Sequence, residues 1–566
     1  MKVLLVGINA KYSHTNLAIR QIAAALKLQG IDAQLAEYTI NHSPEAAASQ
    51  IYLQSPDVIG FSCYIWNIPF IRQVSAILQR LLPESFIFFG GPEAYNNAPS
   101  LLSEGLCSAV IMGEGEPSTP ALIAALTRGD SLSTVPGLCY LLGGELVTTP
   151  LPPYFDLDLL PLPYQRQEEL DNRIIYYESS RGCPYRCSYC LSATDKVLRY
   201  RSLPLVLEDL KELLSRRVMQ VKFIDRSFNC DPKRALEILR FIAQHDNGYT
   251  GFHFEVNAEA LSQELITLLQ SLRLSLVQLE IGLQSTHPPT LAAIQRSFHP
   301  AKMTQVIQTL AATRNIHLHL DLIAGLPYEG YSEFQKSFDY LYSLRPTMIQ
   351  LGFLKVLLGS PLGDQAQQYG ILYNPAPPYE VLSTPWLSHK ELLCLKQTEA
   401  AVELYYNSGR YAAMLELLLQ KSPSPFKLYA SLGQRLLPEP ISANRGGLWY
   451  YNTLYSAGLD LGCDPNQLAW ACRIDLYTAS RPKKLPDFAQ PLHQRTEIYD
   501  EIRRISSLPP PELCREYYID FIPQDLQNPD GCYVLTAFDY TQRDIQGRAS
   551  MLPVADLLCT HTAGKA

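Results

Sequence analysis

The sequence predicts an α/β protein in three parts: a doubly wound amino-terminal domain, a central partial β/α barrel and a mostly helical carboxyl-terminal domain. Three observations carry this. Short apolar runs alternate with amphipathic stretches in two successive series, a Pro-, Gly- and Leu-rich break separates the series, and the alternation stops near residue 370. Alternating strand and helix patterns specify a parallel sheet, because parallel neighbours need a crossover between them. At 566 residues the chain is also too long for one compact domain.

In the first series, strands are expected at Val3–Ile8, Asp32–Tyr38, Val58–Cys63, Phe86–Phe89 and Ala109–Met112. Amphipathic stretches at Ala18–Leu28, Pro44–Gln54 and Ile71–Leu82 supply helices between them. This is a Rossmann-like arrangement over residues 1–130, and ligands of such sheets sit outside the carboxyl ends of the strands. The loops NAKYSHTN, SCYIWN, GGPEA and GEGE fall at those ends, and their glycines suit tight turns and close backbone approach. Residues 131–172, rich in Pro, Gly and Leu, read as a small hairpin followed by an extended linker.

The second series occupies residues 173–368. Its strands are expected at Ile174–Glu178, Val221–Asp225, Gly251–Val256, Leu276–Gly282, His317–Ile323 and Ile349–Val356, with helices such as Pro204–Arg216, Lys233–Gln244 and Thr304–Ala312. Six such units suggest an incomplete barrel with its site at the carboxyl ends of the strands. In residues 369–566, His389–Gln420 reads as two helices, Leu448–Tyr477 as further helix, and Tyr517–Tyr540 as a stretch containing strands. No catalytic constellation stands out there, and the aromatic run GLWYYNTLY fits a helix core.

A formal charge of −8 argues against a large basic face for duplex nucleic acid. The first residues, MKVLLVGINAKYSH, hold too short an apolar run for a signal peptide, and no stretch of eighteen apolar residues points to a membrane span. A cytoplasmic, reducing location is therefore expected, where the thirteen cysteines are thiols or metal ligands more often than disulfides.

The segment ESSRGCPYRCSYCLSA directly follows the first expected barrel strand and puts Cys183, Cys187 and Cys190 on one loop at Cys-x3-Cys-x2-Cys spacing. Thiolates suit iron–sulfur clusters, which normally take four, so three leave one iron open to a further ligand. A structural zinc site would want a second Cys or His pair. No second C-x2-C exists in the chain, although Cys230 is a further thiol that could serve.

RGCPYRCSYC resembles the radical S-adenosylmethionine (SAM) signature, with Tyr189 between its second and third cysteines. FIDRSFN, FEVNAE, QLEIGLQS, DLIAGLPYE and LKVLLGSPL resemble the successive strand-end motifs of that superfamily, in order. The resemblance implies a 4Fe–4S cluster on the three cysteines, with SAM chelated at the open iron and cleaved reductively to a 5′-deoxyadenosyl radical. It also implies cosubstrate contacts from Tyr189, from Asp225, Arg226 and Ser227, and from Glu280, Gln284 and Ser285. An internal ion pair is the competing reading for Asp225 and Arg226, a buried carboxylate satisfied by backbone donors is that for Glu280, and packing is that for Tyr328, which follows GLP near the expected adenine site.

GFSCYIWN, FFGGPEA and VIMGEGE, ahead of such a barrel, are similar to the cobalamin-binding subgroup, which implies a corrin over Ser62, Gly90, Gly91, Gly113 and Glu114. The DxHxxG motif, which supplies a cobalt-ligating histidine in many cobalamin proteins, is absent, as is common in this subgroup. His14 and Trp66 are minor candidates for the lower face of the cobalt. The carboxyl-terminal part resembles an uncharacterised domain found beside some members. Methylation of an unactivated carbon is the leading expectation, with methylcobalamin as donor and a second SAM remethylating it. Non-methylating rearrangement or cyclisation, methylthiolation and a non-enzymatic carrier role are the alternatives. Methylthiolation is weakened because the first domain offers only Cys63 and Cys107 as further cluster thiols. The expected partners are a small-molecule, peptide or RNA substrate and an electron donor such as a flavodoxin or ferredoxin, with no membrane.

Overall fold

The computed structural model describes residues 1–164, 168, 170–195, 197–436, 446–505, 509–529 and 531–557. The chain forms two compact units. One comprises Met1–Leu268, Ala293–Arg296 and Leu354–Leu382; the other comprises Leu269–Ala292, Ser297–Phe353 and Ser383–Ala566.

The first unit opens with strands β1 (Val3–Asn9), β2 (Ala33–Thr39), β3 (Val58–Ser62), β4 (Phe86–Gly90) and β5 (Ala109–Ile111). Helices α1 (Leu17–Leu28), α2 (Pro44–Leu53), α3 (Ile68–Leu81), α4 (Pro92–Ser103) and α5 (Gly115–Arg128) connect and flank them. The five strands are parallel in the order β2-β1-β3-β4-β5, so the order reverses between β1 and β3. All seven residues of β1 are buried, as a central strand covered on both faces requires. Its residues divide by parity: Leu4, Val6 and Ile8 join one apolar cluster, and Val3 and Leu5 join the other. Burying each such side chain contributes roughly 1.5–3 kcal/mol.

Helix starts follow the local sequence. Asn16 caps α1 by accepting the Ile19 N–H, and Ser43 caps α2 by accepting that of Ala46, with Pro44 next in line. The hairpin expected within 131–172 is present as β6 (Leu138–Leu142) and β7 (Glu145–Thr148), but it is not a separate appendage. It adds two antiparallel strands to the edge of β5, covering backbone groups that would otherwise lie open.

The same unit holds strands β8 (Ile174–Tyr177), β9 (Ser180–Arg181), β10 (Arg199–Tyr200), β11 (Gln220–Phe223) and β12 (Gly251–Glu255), with helices α6 (Leu203–Ser215) and α7 (Pro232–Gln244). β8, β11 and β12 are parallel neighbours. β9 and β10 form a short antiparallel pair whose connecting loop carries the three clustered cysteines.

In the second unit, β13 (Val277–Gln284), β14 (His317–Ala324) and β15 (Met348–Phe353) are parallel, with helices at Pro300–Ala312 and Tyr331–Ser343. Beyond them lie helices His389–Ala401, Ala412–Lys421, Pro425–Leu436, Gly447–Asp460 and Pro465–Ala479, then an antiparallel sheet of Tyr518–Pro523, Tyr533–Arg543 and Ala549–Pro553. The first of the two helices expected over His389–Gln420 does not stop cleanly but runs into a π-helical turn, Val402–Asn407. Asn407 explains the turn: its side chain accepts the Ile349 N–H and donates to the Ile349 carbonyl, each at 2.9 Å.

Candidate active site

The cysteine loop is shaped by contacts at its root, its middle and its return. At the root, Gly182 has φ +94°, and a Cβ there would lie 2.3 Å from the Val197 carbonyl, so only glycine fits. In the middle, the buried Ser188 donates its N–H to the Ile294 carbonyl at 3.1 Å and accepts the Leu362 N–H at 2.8 Å. The Cys190 N–H closes a turn onto the Cys187 carbonyl at 3.0 Å. Cys183, Cys187 and Cys190 are unpaired and half-buried. Burial pushes the Cys183 thiol up to about 11, and the nearby Cys230, Cys190 and Cys187 add to the shift. A bare thiolate at Cys183 is thus disfavoured. Among the described residues, no three His, Cys, Asp or Glu side chains converge on a single metal ion. Three thiols on one loop are a donor set of the kind that iron–sulfur clusters take.

Behind the loop, Asp225 follows β11 and is 2% exposed. It accepts the Ser179 N–H at 2.8 Å, the Ser179 hydroxyl at 2.5 Å and the Ser180 hydroxyl at 2.8 Å. Burial raises its pKa and these bonds only partly offset that. Asp225 therefore braces the root of the loop through the neutral donors of Ser179 and Ser180. Arg181 gathers Glu114, Glu116 and Glu178 at 3.1, 2.7 and 2.7 Å. Burial opposes ionisation of Glu114, but Arg199 at 2.5 Å, with Arg181, overcomes it and holds the carboxyl below its usual range.

A cavity of about 780 Å³ in this unit is lined by the strand-end loops of the first sheet and by the cysteine loop together. Ser62, Gly90, Gly91, Gly113 and Glu114 contribute from the sheet, and Gly182 and Cys190 from the loop. It opens at the β1/β3 reversal, where doubly wound folds bind ligands. Asn16 braces that point by donating to the Ser62 hydroxyl at 3.1 Å, and Asn67 donates to the Ile8 and Ser62 carbonyls at 3.1 and 2.9 Å. Gly91, at φ +100°, would put a Cβ 2.6 Å from the Cys63 carbonyl, so backbone itself forms this wall. Trp66 is 48% exposed and stacks on Tyr64 with ring centroids 4.4 Å apart. His14 sits 3.0 Å from the Tyr176 hydroxyl, and burial, followed by Lys11, Lys222 and Arg173, lowers its pKa.

Arg226 also lines the cavity, whereas Ser227 is buried beside it. Glu280, Gln284 and Ser285 lie in the second unit on β13 and just after it. Glu280 is in register with His319, and Gln284, at φ +69°, follows a bulge. The Ser285 hydroxyl donates to Glu329 at 2.5 Å. Tyr328 packs against Trp386 with centroids 4.6 Å apart. Sequence reading missed Asn67, Glu329 and Arg296. The last of these donates to the Cys187 sulfur at 3.6 Å from a position 109 residues away, and no local pattern signals that contact.

The "B12 binding domain" family matches residues 3–123, and the "Radical SAM superfamily" matches residues 177–341, which include the cysteine loop. The chain carries a B12-binding domain followed by a radical SAM domain. A "Protein of unknown function (DUF4080)" domain follows at residues 367–527. Among curated relatives, the 2-(S-pantetheinyl)-carbapenam-3-carboxylate methyltransferase of Streptantibioticus cattleyicolor is 27% identical over 54% of this chain and 47% of its own length. The hopanoid C-3 methylase of Methylococcus capsulatus is 33% identical over 35% of this chain and 40% of its own. The chain thus spans about half the length, or less, of these two relatives. The cobalamin-dependent SAM radical enzyme OxsB, solved with aqua-cobalamin and SAM bound, shares the fold: TM-score 0.60, 14% identity, over 81% of this chain and 79% of that one. The two cofactor domains bring with them a cofactor set of 4Fe–4S cluster, SAM and cobalamin. Among the described residues, no helix is long and apolar enough to cross a membrane.

Proposed function

We propose that this chain is a cobalamin-dependent radical SAM methyltransferase acting on an unactivated carbon. The observation that carries the reading is the shared cavity: strand-end loops of the B12-binding sheet and the cysteine loop line one space of about 780 Å³. When bound, the cofactors supply a radical that removes a hydrogen atom from the substrate and a methyl group that replaces it. The chain's residues bind and orient. Cys183, Cys187 and Cys190 hold the cluster, and Asp225 fixes the root of their loop. Ser62, Gly90, Gly91 and Gly113 present backbone and a small hydroxyl to the corrin. Arg226, which lines that cavity, contributes to the cosubstrate site. An electron donor such as a flavodoxin or ferredoxin and a substrate, whether small molecule, peptide or RNA, complete the system.

The test is anaerobic reconstitution with iron, sulfide and cobalamin, then reduction in the presence of SAM. Formation of 5′-deoxyadenosine with cobalamin retained, abolished in Cys187→Ala, is the expected result. A protein that takes up neither an oxygen-sensitive cluster nor cobalamin would overturn the reading.

A further inference from the structure

One basic side chain is built into the cysteine loop. Arg296 donates from Nη1 to the Cys187 sulfur at 3.6 Å, and Tyr189 lies within hydrogen-bonding reach of both. The placement is supported along the chain. Ser188, next to Cys187, bonds the Ile294 carbonyl through its N–H and the Ala293 carbonyl through its hydroxyl, so the segment carrying Arg296 is tied to the loop it faces. Gln295, immediately before it, has φ +54°, a left-handed conformation uncommon for a non-glycine residue, and it turns the chain at that point.

We propose that Arg296 is a positioning residue that raises the reduction potential of the cluster, by giving Cys187 an N–H···S hydrogen bond and a fixed positive charge. The proposal rests on the reading of Cys183, Cys187 and Cys190 as cluster ligands. A guanidinium stays protonated at any physiological pH, so the charge is permanent. Reduction adds one electron to a site already carrying thiolate charge. A hydrogen bond to a ligating sulfur and a nearby cation stabilise that added charge more than the oxidised state. A radical SAM cluster must be reduced before it can act, so a cation fixed at one ligand favours the working state.

The experiment is an electron-paramagnetic-resonance redox titration of the full chain after anaerobic reconstitution, comparing wild type with Arg296→Met, Arg296→Gln and Arg296→Lys. The Met variant is expected to need a more negative potential, with the ratio of reduced to oxidised cluster at the wild-type midpoint about tenfold lower, equivalent to about 59 mV for one electron. Lys, which restores the charge without the fork, should recover part of the difference. Potentials equal to wild type at equal iron and sulfide content would overturn the proposal. Loss of cluster from all three variants, with the remainder titrating like wild type, would reduce Arg296 to an architectural part and overturn it as well. Failure of the wild type itself to hold a cluster would sink the cluster reading instead.

Discussion

Asp225 grips Ser179 twice, through its N–H at 2.8 Å and its hydroxyl at 2.5 Å, across 46 positions of sequence. This fixes the strand end from which the cysteine loop departs. Asp225→Ala would leave the buried Ser179 N–H and two hydroxyls without their acceptor, at about 1–3 kcal/mol per unsatisfied group. Iron content after reconstitution should fall sharply in the Ala variant and much less in Asp225→Asn, which retains an acceptor oxygen. Equal iron in wild type and Ala variant would show that the brace is dispensable.

The four thiols near this loop should not be equivalent. Cys183→Ala, Cys187→Ala and Cys190→Ala are each expected to lose the cluster, measured as iron and acid-labile sulfide per chain. Cys230 stands close enough to influence Cys183 but lies outside the loop. Cys230→Ala should therefore keep a full complement, and its failure to do so would promote Cys230 to a ligand.

Two adjacent glycines at the cavity wall should respond differently to the same change. At Gly91 an added Cβ meets the Cys63 carbonyl at 2.6 Å with φ +100°, whereas at Gly90 the nearest atom is an Ile111 carbon at 3.8 Å. Gly91→Ala is expected to cost about 1–3 kcal/mol in denaturant unfolding and to lose bound cobalamin on gel filtration. Gly90→Ala should be near neutral in unfolding.

Stability should fall with rising pH through one buried acid. Glu329 is 1% exposed and accepts hydroxyls from Ser285 and Ser337. Burial pushes its pKa up to about 7 despite those bonds, from an ordinary 4.5. The folded state thus holds this proton more tightly than the unfolded chain. Its contribution is complete below pH 4.5 and is lost as pH rises through about 7, by at most about 3 kcal/mol. Glu329→Gln should flatten that part of the stability profile in urea unfolding between pH 5 and 8. An unchanged slope would assign the dependence to other groups, among them Asp475, which burial also raises to about 7.

The sequence by itself determined the strands, because continuous runs such as VLLVGIN can only be buried from both sides. It also determined the cysteine loop, since three thiols within eight residues need no tertiary information to share a loop. Glycine-rich strand ends marked the cavity wall for the same reason: the requirement at Gly91 is a backbone requirement, written locally. Tertiary structure alone decided the rest. The hairpin's place at the edge of β5 and the π turn gripping Ile349 depend on a surface or strand supplied from elsewhere in the chain. Asp225 reads as a strand-end acid until Ser179 and Ser180 are brought onto it, and Arg296 reads as an ordinary basic residue until folding carries it to Cys187. Periodicity records which face of an element is buried. It does not record which polar side chain, a hundred residues away, will meet a given sulfur or carboxylate there.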